Sequence, residues 1–200
     1  MNKSIHAFVV LAYKESQYLE ECVKSVLRQD YKSDVVIATS TPNSFISSIG
    51  KKYNLQIIEN KDTRKGIGYD FEFARKCVDN ELVTIAHQDD IYDEGYSDRM
   101  VNEYNRNKDS LIIFSDYYEI RDNKKVYSNL NLKIKRILLQ PLKLRFRGNW
   151  IKRRVLSFGN PICCPAVTFV NSNIRHNEIF SSDYLCNVDW KAWEILSRES

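Results

Sequence analysis

Over residues 1–120, short apolar runs rich in β-branched residues alternate with stretches whose apolar residues recur at helical spacing. That alternation is what βαβ units around a largely parallel sheet require, and it constrains the fold more than any other feature. Residues 5–11 read as a buried first strand. Ser16 is placed to cap a following helix, in which Leu19, Cys22, Val23, Val26 and Leu27 fall on one apolar face. Residues 34–38 make a second strand. A TSTPN turn then leads to a short helix through Phe45, Ile46 and Ile49, with Pro42 suited to its first turn. Further strands are expected at 55–59, 81–86 and 111–120, with helices at 67–78 and 96–107 between them.

Beyond residue 120 the pattern weakens. Two helix-like pieces, LKIKRILL and WIKRRVLSF, are separated by Pro141 and residues 147–149. A strand at 166–170 precedes an amphipathic helix at 188–197. With 200 residues, 43% of them hydrophobic, the chain has material for one core. The expectation is a single domain, 1–200, in two halves, 1–120 and 121–200, the second holding a basic segment at 123–160. The chain stops soon after its last helix, which reads as a truncation.

Charge is distributed unevenly. Residues 123–177 contain twelve Lys and Arg and no Asp or Glu, so within a formal total of +4 the rest of the chain has a net −8. Such a stretch points to an anionic partner, a lipid surface or a phosphate-bearing molecule, or else to a solvated basic face. Nucleic acid is disfavoured because no recognition motif accompanies the charge. The apolar runs are far shorter than the roughly 20 residues of a spanning helix. The N-terminal run leads into Lys14 and Glu15 rather than a cleavage site. A cytoplasmic protein, peripheral on the inner face of a membrane, is the expectation. Five cysteines without Cys-x-x-Cys spacing fit a reducing compartment with neither disulfide nor zinc.

The strongest chemical signal is Asp89-Asp90 at the carboxyl end of a buried strand, where open α/β sheets bind ligands. Adjacent acids repel one another, and a hard divalent cation between them and an anionic substrate would relieve that repulsion. The competing reading is that Asp90 or Asp93 caps the next helix. Asp189, in NVDWKAWEIL, is either a plain first-turn acid, favoured by the helix dipole, or a proton acceptor. His87 lacks a second ligand at helical or strand spacing and reads as a hydrogen-bonding residue. Gly66-Ile67-Gly68 is a weak phosphate signal without the third glycine. Cys163 and Cys164 read as packed rather than nucleophilic.

Three segments together resemble the family-two glycosyltransferases: FVVLAYKESQYLEECVKSVLRQDY, like that family's first strand and its Leu-x-x-x-Leu-x-Ser-x-x-x-Gln helix; TIAHQDDIY, like its Asp-x-Asp region; and IFSSDYLCNVDWKAWEILS, like its Glu-Asp-[Trp/Tyr] segment. The resemblance implies a GT-A fold, a Rossmann-like mixed α/β sheet flanked by helices, here with a basic helical insertion after the fifth strand. It implies an inverting transferase that moves a sugar from a nucleoside-diphosphate sugar, a UDP-sugar, to a hydroxyl of a glycan or lipid-linked acceptor in bacterial polysaccharide or glycolipid assembly. By position, Tyr13 would face the base, Ser40 would stand where relatives place a uracil-binding aspartate, and Lys65 or Arg64 would lie near the base or ribose. Asp89 would contact ribose or metal, Asp90 would bind Mn2+ or Mg2+, and Asp189 would be the base, with Asp183 or Asp116 next in line. The sequence departs from the family pattern at TST on the second strand, at His87, and at Val188. The rivals are a non-catalytic docking or scaffold domain with a degenerate sugar site, and a sugar-phosphate nucleotidyltransferase. LAYKESQ lacks the glycine-rich loop expected of the latter.

Overall fold

The computed structural model describes residues 3–143, 149–180 and 186–199. Asp183, Arg145 and Arg147 therefore lie outside the described residues. Strands β1 (His6–Ala12), β2 (Asp34–Thr39), β3 (Gln56–Glu59) and β4 (Leu82–His87) alternate with helices α1 (Leu19–Leu27), α2 (Ser44–Tyr53) and α3 (Ile67–Lys76). After α4 (Tyr96–Arg106) come β5 (Ile112–Phe114), β6 (Glu119–Arg121), β7 (Lys124–Val126), α5 (Leu130–Lys143), α6 (Asn149–Ser157), β8 (Val167–Val170) and α7 (Val188–Glu199). Six strands form one sheet in the order β3-β2-β1-β4-β8-β5. The first four are mutually parallel, and β8 runs antiparallel between β4 and β5. This is a mixed α/β sheet flanked by helices.

The two faces of β1 show why the pattern folds this way. Phe8, Val10 and Ala12 pack with α1, α2 and α4 through Leu19, Val23, Ile46 and Met100. Val9, one step out of phase, packs with α3, β8 and α7 through Phe71, Phe169 and Trp193. From Ala7 to Ala12 the strand is apolar at every position, the expected sequence for burial on both faces. The register pairs Ala12 with Thr39 and Leu11 with His87. Three strands thus end together, and the loops that follow them share one edge.

Several local expectations are corrected. Residues 111–120 do not form one strand: β5 stops at Phe114, and β6 pairs instead with β7 across Asp122 and Asn123, both left-handed at φ 50° and 58°. Two successive left-handed residues make the tight turn that suits a two-residue hairpin, and Asp and Asn tolerate it best after glycine. Ser16 does not cap α1. It starts a turn, accepting from the Leu19 amide, and the helix begins at Leu19. Asn43 rather than Pro42 starts α2, its side chain accepting from the Ile46 amide. Pro141 lies inside α5 near its end, where a proline removes one hydrogen bond from the last turn without ending the helix. Among the described residues no helix is long and apolar enough to cross a membrane.

Candidate active site

The turn after β4 holds the densest cluster of ligand atoms. One atom from each of His87, Asp89 and Asp90 lies within 4.8 Å of the others. Burial, reinforced by the charge of Asp89, raises the Asp90 carboxyl to about 6. Burial lowers His87 to about 4, against the opposing pull of Asp89 and Asp189. The imidazole is therefore neutral near pH 7, and its 3.9 Å approach to Asp90 is not an ion pair there. His87 Nε2 is buried without a hydrogen-bond partner. Two carboxylates held close, one of them forced toward protonation, together with an orphaned imidazole nitrogen, fit a divalent cation. The oxygens suit magnesium or manganese. His87, expected to be a hydrogen-bonding residue, belongs to this cluster by position.

The alternative that Asp90 or Asp93 caps the next helix does not hold. Gly95 occupies the cap of α4 without a side-chain bond. The Asp93 carboxylate instead accepts from Tyr118 Oη at 3.1 Å and faces Lys125 Nζ at 3.7 Å. The turn is fixed from behind by α1. Ser25 Oγ donates to the Cys22 carbonyl and accepts from the Tyr92 amide. Gln29, almost fully buried, donates to the carbonyls of Ser25 and Asp93 and accepts from the Ser97 amide. The Cys22 thiol donates to the His87 carbonyl. Ser25 and Gln29 are the polar positions of the first segment's helix motif, and their task here is to hold the loop bearing Asp89 and Asp90.

Tyr13 follows β1, half-exposed, with its backbone bonded in both directions to the Gln88 side chain. Ser40, at the end of β2, donates to Asp70 Oδ2 at 2.9 Å, while Asn60 holds the other oxygen at 3.0 Å. Asp70 lies in the first turn of α3, so a helix thirty residues along supplies a carboxylate at the β2 end. The sequence reading did not single out Asp70. Its only signal was an acid in a helix's first turn. Lys65 is exposed in the loop before α3. Arg64 is bound to Asp62 and stacks over Tyr69 at 4.3 Å.

Asp189 is the second residue of α7, whose Trp193 is buried and stacks on Phe169. Its carboxylate accepts from Asn160 Nδ2 at 2.7 Å, and its charge reaches His87, Cys163 and Cys164. Asp189 thus stands on the same side of the sheet as the β4 cluster. The segment leading toward α7 is tied down by a buried ion pair: Glu72 bonds Arg75 and also accepts from the amides of Ile179 and Phe180. Burial raises the Cys163 thiol to about 11 and Cys164 further, so both stay protonated and unreactive.

A cavity of about 470 Å³ opens beside Asp89 and Asp90. The start of α4 with Arg99, the segment from Ser115 to Ile120, and Cys163, Pro165 and Ala166 complete its walls. Asp116, the alternative base, lines it but is paired with Arg136 at 2.8 Å.

Residues 7–171 match the family model described as Glycosyl transferase family 2. The fold also resembles solved structures. S. aureus TarS 1-349 is 16% identical with a TM-score of 0.65, covering 94% of this chain and 55% of that one. The M. tuberculosis glucosyl-3-phosphoglycerate synthase, solved with Mn2+ and UDP-glucose, is 12% identical with a TM-score of 0.56, covering 84% of this chain and 56% of that one. The mannosyltransferase PcManGT from Pyrobaculum calidifontis, solved with GDP-Man and Mn2+, is 16% identical with a TM-score of 0.51, covering 78% and 53%. This chain thus spans about half the length of these structures, and at such identities the likeness is one of fold. No curated protein matches it.

Proposed function

Since this chain belongs to glycosyl transferase family 2 and has the GT-A fold, we propose that it transfers a sugar from a nucleoside-diphosphate sugar to an acceptor hydroxyl with inversion. The observation behind this reading is the gathering of His87, Asp89 and Asp90 at the end of β4, with Asp189 held by Asn160 at the start of α7. Two acids at a strand end and a third acid from a separate helix divide the work of such a reaction between them.

In this reading Asp189 accepts the proton of the acceptor hydroxyl. The freed oxygen bonds to the anomeric carbon as the bond from that carbon to the diphosphate oxygen breaks, and the nucleoside diphosphate leaves with both electrons. Asn160, donating to Asp189 Oδ2, fixes the carboxylate and leaves its other oxygen for the acceptor. Asp90 and Asp89, with His87 beside them, would hold Mn2+ or Mg2+, which when bound stabilises negative charge on the departing diphosphate. Tyr13 would lie against the base and Lys65 near the ribose or phosphates. Ser40 with Asp70 would meet the base edge where relatives use an aspartate. The donor proposed is a UDP-sugar, and neighbours solved with UDP-GlcNAc and with UDP-glucose support that choice. The cavity beside Asp89 is proposed to receive the acceptor, a glycan or lipid-linked saccharide of a bacterial envelope pathway.

Release of nucleoside diphosphate from a panel of UDP- and GDP-sugars, with Mn2+ or with chelator, tests the proposal. Turnover of at least one donor is expected with Mn2+, and its loss is expected with chelator and in Asp90→Asn. Undiminished turnover under chelation would overturn the metal assignment. No turnover or binding of any donor would overturn the transferase reading.

A further inference from the structure

We propose that the outer faces of α5 and α6 form a docking surface for a bilayer containing anionic lipid. On α5 the inward residues are Leu132, fully buried, and Lys135 and Arg136, which reach Tyr117 and Asp116. The outward residues are Leu130, Ile134 and Ile137, one face at i, i+4 and i+7, with Leu130 76% and Ile137 68% exposed. On α6 Val155 and Leu156 are buried while Trp150 is 69% exposed, and Phe158, just past the end of the helix, is 75% exposed. Exposed Arg153 and Arg154 stand between them, the Arg154 guanidinium 5.5 Å over the Trp150 ring. The two helices pack against each other.

Single exposed apolar residues are ordinary, but five large ones on and just beyond two adjoining helices are not. Charge decides what covers them. Residues 123–177 contain no acid, so a second copy presenting the same face would bring cation against cation, whereas anionic headgroups would meet the Lys and Arg. Trp, Phe, Leu and Ile interleaved with arginine and lysine are the composition of helices lying in a bilayer interface, with the rings at headgroup depth and the cations above them. Asp116 and Tyr117, held by the inward side of α5, also line the cavity. Docking would set that cavity about one helix diameter, ~10 Å, from the headgroups.

The test uses the full chain with vesicles of phosphatidylcholine, with and without phosphatidylglycerol. Binding only to the phosphatidylglycerol vesicles is expected, weakening as salt rises. Arg153→Gln with Arg154→Gln should weaken partitioning about fivefold per charge. Ile134→Gln with Ile137→Gln should weaken it further at unchanged thermal midpoint. Independently of those variants, brominated acyl chains should quench the bound parent, and Trp150→Phe should remove most of that quenching, because Trp193 is buried in the core and Trp190 is half-buried with its indole N–H on the Leu156 carbonyl. Absent binding, binding equal on neutral vesicles, or binding that neither the substitutions nor the quencher report would each overturn the proposal. So would a salt-resistant dimer that the Ile134 and Ile137 substitutions dissociate, since that would assign the face to a second copy.

Discussion

The β4 turn and the α5–α6 pair are both polar and both face outward, yet they are built by opposite rules. At the β4 turn, Ser25 and Cys22 of α1 and Gln29 just after it reach in to fix the backbone around Asp89 and Asp90, and Gln88 ties it to Tyr13. The backbone that bears the acids is held before any ligand arrives, and burial beside Asp89 raises Asp90 toward protonation. On α5 Lys135 and Arg136 turn inward to Tyr117 and Asp116, while the outer face of the pair holds apolar residues and cations with no acid in the same stretch. A site that directs chemistry needs its groups preorganised. A face that adheres to a fluid partner needs only composition and exposure.

Asp189→Asn should show the largest effect and sharpen that contrast most. The amide keeps the size of the carboxylate and an oxygen for Asn160, but it takes up no proton. Transfer should fall by roughly 100-fold to 10,000-fold, while stability changes by at most about 1 kcal/mol and nucleoside-diphosphate binding persists. Steady-state rates beside a thermal melt would separate these outcomes. Near-parental turnover would reduce Asp189 to a first-turn acid and turn attention to Asp116, once freed from Arg136.

Next in size is Gln29→Leu, which removes three hydrogen bonds from the fixed side of the comparison. The Ser97 amide would be left buried without its partner and the Asp93 carbonyl would keep only the Tyr96 amide, a loss on the order of 2–3 kcal/mol. Nucleotide affinity should weaken with it, because the loop bearing Asp89 and Asp90 loses its anchor. Chemical denaturation and calorimetric titration read the two effects. A stable variant with unchanged affinity would show that the turn is held by other means.

The first region was largely legible in the sequence and the second only by composition. Apolar period and turn residues gave the strands and helices of residues 5–107 to within a few residues, because each buries a face against the same sheet. The Asp89-Asp90 pair was visible for the same reason, as charge interrupting a buried strand end. What escaped was whatever depends on tertiary approach. Asp70 meets Ser40 from a different helix thirty residues on, whereas His87 stands only two and three residues from Asp89 and Asp90, a local spacing that the sequence did display. Residues 111–120 read as one strand because period alone does not reveal that β8 enters between β4 and β5 and that a hairpin leaves after Phe114. In α5 and α6 the apolar residues fall on inward and outward faces alike, so no pattern reading says which face is covered.

Acid should act on the sheet rather than on the basic helices. His6, buried in β1 between Ser33 Oγ at 2.7 Å and Thr84 Oγ1 at 2.9 Å, has its pKa lowered by burial to about 3. The unfolded chain therefore binds more protons there between about 3 and the ordinary 6.5. The stability associated with neutral His6 is complete above 6.5 and is lost as pH falls toward 3, with a limiting slope of ~1.4 kcal/mol per pH unit. His6→Gln keeps hydrogen-bonding groups but does not titrate, so its unfolding free energy should fall less steeply between pH 6.5 and 4 than the parent's. Parallel curves would mean that other groups set the acid response.

The smallest effect is expected from Ile137→Gln, and its smallness is the point. Ile137 and Leu132 belong to the same helix, are both aliphatic, and differ in which way they face: Leu132 is 1% exposed and Ile137 mostly open to solvent. Leu132→Ala opens a cavity where α5 meets the body of the protein and should cost about 2–5 kcal/mol. Ile137→Gln removes almost no buried contact and exchanges a β-branched residue for a better helix former, so stability should move by no more than about 0.5 kcal/mol. Denaturant melts of the two variants at low protein concentration give the ratio directly. A loss above about 2 kcal/mol in Ile137→Gln would mean that this face is already covered in the folded protein, by itself or by a second copy, and the contrast between a fixed site and an open adhesive face would collapse. A near-zero change beside a large one at Leu132 would show that α5 is held to the fold by one side only, leaving the other for a partner.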